Sequence, residues 1–76
     1  MPHLDLHFNP HELNAAEVDA MVAELCDVLR RHLNTPDESI SAMLTQVTAA
    51  DWKQDVYDPL IKPQLEKLYK RPGYRL

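Results

Sequence analysis

One amphipathic helix stands between two short strand-like runs, and that order leaves few folds open. Residues 3–8 read His3-Leu4-Asp5-Leu6-His7-Phe8. Leu4, Leu6 and Phe8 fall on one face and His3, Asp5 and His7 on the other, the period of a half-buried strand. Asn9-Pro10-His11 breaks it. Asn14 then stands three residues before Glu17, the spacing of a capping box at a helix start. Val18, Met21, Val22, Leu25, Val28, Leu29 and His32 or Leu33 follow at intervals of three and four, one apolar stripe on a helix of about five turns. Asn34-Thr35-Pro36 ends it. Ser39 to Val47 reads as a second, more apolar strand. Two strands joined by a crossover helix run parallel, with the connection right-handed.

The last third lacks a clean period. Thr48 suits the cap of a short helix through Trp52. Asp58-Pro59 has the form of a cap followed by a first helical residue. Pro63 follows too soon for one smooth helix, and Pro72-Gly73 stops the segment. The fold expected is α+β: a β-α-β unit with parallel strands and an irregular helical C-terminal third, residues 1–76 forming a single domain.

That unit is short of core. A chain of 76 residues buries only about 60% of its unfolded surface, and two parallel strands make no stable sheet alone. Small folds compensate with disulfides, metals or oligomers. Cys26 is the only cysteine, so no bridge forms within the chain. One cysteine and four scattered histidines give no zinc spacing, and no metal site is expected. What remains is a sheet completed by another subunit, at least a dimer.

Eight basic residues against twelve acidic ones give a net charge of -4, without the basic stripe of a nucleic-acid binder. Lys62, Lys67, Lys70, Arg71 and Arg75 read as a solvated, cationic helix end. No run is apolar enough to span a membrane. The alternating first residues, with an early acid, are no secretory signal. With one free thiol, the expectation is cytoplasmic.

Chemistry centres on Met1-Pro2. Initiator methionine is usually excised before a small residue, which leaves proline's secondary amine at the start of the first strand. An α-amino group titrates near about 7.7–8.0. An apolar enclosure disfavours its charged form, and a neutral amine is a competent base. The bland alternative is a plain processed terminus. His3 and His7 flank Asp5 on one strand face, which suits a solvated or subunit-facing edge better than a metal or acid–base cluster. Cys26 flanks the apolar stripe and suits packing better than nucleophilic attack. Arg30 and Arg31 suit the surface, and His32 the end of the helix.

Met1-Pro2-His3-Leu4-Asp5-Leu6 opening a β-α-β chain of this length resembles the 4-oxalocrotonate tautomerase family. The similarity runs nearly end to end, through Glu12-Leu13, Cys26-Asp27-Val28, Arg31-His32-Leu33-Asn34, Ser39-Ile40-Ser41, Trp52, Pro63-Gln64 and Lys70-Arg71-Pro72-Gly73-Tyr74. The resemblance implies a cofactor-independent keto–enol tautomerase in which Pro2 is catalytic, shuttling a proton between oxygen and carbon of an enol. Some members act on enols of 2-oxo acids such as phenylpyruvate and are homodimers; others are hexamers. Dicarboxylate-using members carry one arginine in the loop after the first strand, where this chain has His11 and Glu12. They carry another early in the second strand, where it has Ser41. Two guanidinium forks suit a dicarboxylate, and serine does not replace one. A monocarboxylate or a more apolar enol is therefore expected, with Trp52 as an apolar wall for an aryl group, and Ser41 and His11 as substrate-binding residues. Each has a bland counterpart: Trp52 as a core or interface anchor, Ser41 bonded to backbone, His11 as a loop residue. The alternative function is a non-catalytic dimeric binding module on the same scaffold.

Overall fold

The computed structural model describes all 76 residues, Met1–Leu76. Strand β1 covers His3–Phe8, helix α1 Ala15–Leu33, strand β2 Ser41–Gln46 and helix α2 Ala49–Trp52. A π-helical segment, Lys53–Ile61, and a 3-10 helical segment, Lys62–Lys67, complete the chain's regular structure. β1 and β2 form a two-stranded sheet. The Ser41 N–H donates to the Pro2 carbonyl at 3.2 Å, and the Val47 N–H to the Phe8 carbonyl at 2.8 Å. Each bond joins residues 39 apart (41 against 2, 47 against 8). A constant offset at both ends makes the strands parallel.

The chain divides into two compact units, residues 1–6 with 11–45 and residues 7–10 with 46–76. In the first, α1 starts where its capping box lies. Asn14 Oδ1 accepts the Glu17 N–H at 2.8 Å, and Glu17 Oε1 accepts the Asn14 N–H at 3.2 Å. The helix ends at Asn34, in the left-handed conformation with φ 50°, which asparagine tolerates better than most residues. Val18, Met21, Val22, Leu25, Cys26, Leu29 and Arg30 are half-buried, one stripe at helical spacing. It stops short of the sequence expectation, since Val28, His32 and Leu33 are exposed.

β2 starts two residues later than expected. Asp37–Ser39 coil into a single 3-10 turn, in which Ser39 and Ile40 donate to the carbonyls of Pro36 and Asp37. Those donors are satisfied locally before the ladder begins. Arg30 pairs with both Asp27 and Asp37, and Arg31 with Asp27.

In the second unit, Thr48 Oγ1 accepts the Asp51 N–H at 3.3 Å and caps α2. Asp58-Pro59 does not open a new helix, as the sequence suggested; Pro59 lies inside the π-helical segment. In an α-helix the proline ring would meet the carbonyl four residues back. The wider winding displaces that carbonyl, and at its end the Lys62 N–H reaches back five residues to the Tyr57 carbonyl. Inward residues follow the same wide period: Trp52, then Val56 and Tyr57, then Ile61, then Leu65. Pro63 sits in the first turn of the 3-10 segment and divides the helical run as expected. Regular structure ends at Lys67, before Pro72-Gly73.

Only Val47, Val56 and Tyr57 are fully buried, all in the second unit. The chain exposes 6175 Å², against roughly 4,800 Å² for a folded monomer of this mass. Val28, Leu33 and Met43 are among the exposed apolar side chains. An open two-stranded sheet over so little core points to oligomerisation.

Candidate functional site

The first unit presents a small polar constellation at the amino end of the sheet. Pro2 is half-buried, its carbonyl held by the Ser41 N–H. Met1 is fully exposed. Ser41 opens β2 and His3 opens β1, so parallel pairing sets the two residues side by side. His3 Nδ1 lies 2.6 Å from Ser41 Oγ. Pro2 and Ser41, both expected site residues, are thus brought together by one backbone bond. His11 belongs to the same unit, exposed in the loop after β1, where its carbonyl accepts the Leu13 N–H at 3.0 Å.

Trp52 belongs to the second unit and is half-buried. Its indole N–H donates to the Tyr74 hydroxyl at 2.8 Å. The Tyr74 ring packs on Tyr57, centroids 5.9 Å apart and tilted by 43°, a favoured aromatic geometry. Asn9, Ala49, Trp52, Tyr74 and Leu76 line a mostly apolar cavity of about 280 Å³. Asn9 also donates to the Val47 carbonyl at 3.0 Å, which fixes one side of that cavity.

No three His, Cys, Asp or Glu side chains gather into a metal-ligating set, and no helix is long and apolar enough to cross a membrane. Chemically, the first unit offers a proline nitrogen, a hydroxyl and an imidazole. The second offers an aromatic recess with one amide.

A tautomerase PptA of Enterobacter sp. (strain 638) is 42% identical over 76 residues, covering both chains completely. The chain belongs to the 4-oxalocrotonate tautomerase family. Tautomerase PptA of Shigella sonnei (strain Ss046) is 43% identical, again over the whole of both chains. Tautomerase PptA of Pectobacterium carotovorum subsp. carotovorum (strain PC1) is 39% identical over 74 residues, 97% of each. No protein-family model matches.

Two features of this tautomerase-family chain escaped sequence reasoning. His3 reads as an edge residue until the strand register is known; pairing residue 2 with residue 41 then puts His3 beside Ser41. Tyr74 reads as the tail beyond Pro72-Gly73. The only hint of its role is an aromatic residue after a turn, in a chain with a single tryptophan needing an acceptor.

Proposed function

We propose that this chain is a cofactor-independent isomerase, a keto–enol tautomerase whose general base is the amine of Pro2 once Met1 is removed. The observation that carries it is the fixing of Pro2 at the head of β1 by the Ser41 N–H. A rigid ring on a pinned strand holds its nitrogen in one place, as proton transfer between two substrate atoms requires. The neutral amine takes the enol hydroxyl proton, the carbonyl forms, and the electron pair shifts to carbon. Carbon then receives the proton from the prolinium, and the amine is regenerated.

The substrate class favoured is the enol of a monocarboxylic 2-oxo acid such as phenylpyruvate. Ser41 and His11 offer donors to its carboxylate; Trp52, in the second unit, offers an aromatic wall to the recess it lines with Tyr74. Likeness to the PptA tautomerases over the full length of both chains supports residues 1–76 acting as one domain. Exposed Val28, Leu33 and Met43 support a homodimer. The proposed location is the cytoplasm.

The test is ketonisation of the phenylpyruvate enol by the processed protein and by Pro2→Ala. Loss of most turnover in the variant is expected. Equal turnover in both removes Pro2 from the chemistry, and no turnover in either favours the binding-module alternative, for which the absence of an arginine at Ser41 argues.

A further inference from the structure

His3 and Ser41 meet across β1 and β2 with 2.6 Å between Nδ1 and Oγ, while the Ser41 N–H holds the Pro2 carbonyl. Ser41 is therefore tied to two consecutive residues of the amino terminus, by main chain to one and by side chain to the other. Its hydroxyl has one proton and two lone pairs, and a neutral imidazole has one donor and one acceptor nitrogen. Two arrangements satisfy so short a contact. If Nδ1 is bare, the serine proton is spent on it, and only lone pairs face outward. If Nδ1 carries hydrogen, Oγ accepts it and the serine proton is free to donate elsewhere. Only the second arrangement suits a carboxylate. There the two bonds run in one direction, imidazole to hydroxyl to anion, and each polarises the next.

We propose that His3 is a positioning residue that turns Ser41 into a committed donor for the carboxylate of a 2-oxo acid. The Nδ1–H of His3 occupies the serine oxygen, and the serine proton grips the substrate. This role rests on Pro2 being the base. It supplies a two-residue carboxylate grip in a chain whose Arg30 and Arg31 are engaged by Asp27 and Asp37. Such a grip suits one carboxylate and not two.

The experiment is steady-state kinetics on phenylpyruvate enol with the full-length processed protein. His3→Leu should raise KM about fivefold, the worth of one neutral hydrogen bond, with kcat within about twofold because the base is untouched. His3→Asn, whose amide nitrogen can take the place of Nδ1, should restore KM to near wild type. Ser41→Ala should match His3→Leu, and the double variant should be no worse than either single one. Unchanged KM in His3→Leu, no rescue by asparagine, or additive losses in the double variant would each overturn the role. Pro2→Ala run alongside separates the two failures. If it keeps full turnover, the base and the grip fall together. If it is inactive while His3→Leu binds normally, only the grip falls.

Discussion

Replacing Tyr57 by alanine should remove the one large side chain that the fold encloses completely. Tyr57 is 2% exposed and, with Val47 and Val56, is one of the only three fully buried residues. Truncating a buried aromatic costs about 3–5 kcal/mol, of which about 0.5–1.5 is the ring-on-ring contact with Tyr74. A chain of this length has roughly 4–11 kcal/mol of stability in all, so the substitution takes about a quarter of it or more. At about 4–8 °C per kcal/mol, Tm should fall by at least about 12 °C. Tyr57→Phe keeps the ring and should cost less than about 1.5 kcal/mol. The assay is guanidinium unfolding followed by circular dichroism, with every variant at one protein concentration because an oligomer's midpoint depends on it. Loss of less than about 1 kcal/mol in Tyr57→Ala would refute the assignment of the core to the second unit.

Asn14→Ala breaks a reciprocal cap and should cost about 1 kcal/mol, with amide exchange accelerated in the first turn of α1. Gly73→Ala meets no heavy atom within 4 Å of the new Cβ, and no glycine has positive φ. It should be neutral or stabilise by up to about 1 kcal/mol; a clear loss by thermal melting contradicts the conformation described.

Local signals made the first half of the chain readable. Alternation gave β1 at His3–Phe8, and the Asn14–Glu17 spacing placed the start of α1, because both depend on neighbours within a few residues. Thr48 marked α2 for the same reason. Asp58-Pro59 misled because the same pair that opens an α-helix is also tolerated inside a π-helical winding. That winding buries Val56 and Tyr57 and leaves Trp52, Ile61 and Leu65 half-buried on the same side. The end of the α1 stripe misled differently: Val28 and Leu33 are apolar, yet nothing in one chain covers them, so the pattern describes an assembly. Pro2 is a candidate from the sequence itself, and Ser41, His11 and Trp52 are candidates through the family resemblance. The register that sets Ser41 on Pro2, and His3 beside it, is a long-range property that no local period encodes.

The most direct trial of the proline chemistry is to label Pro2 with nitrogen-15 in the processed protein and follow its resonance through a pH titration. Catalysis by Pro2 requires an amine signal that titrates with a midpoint below the usual range of about 7.7–8.0 for a chain terminus, rate rising with pH through the same midpoint as the base is unmasked. A non-titrating amide signal, from a chain that keeps Met1, would contradict it.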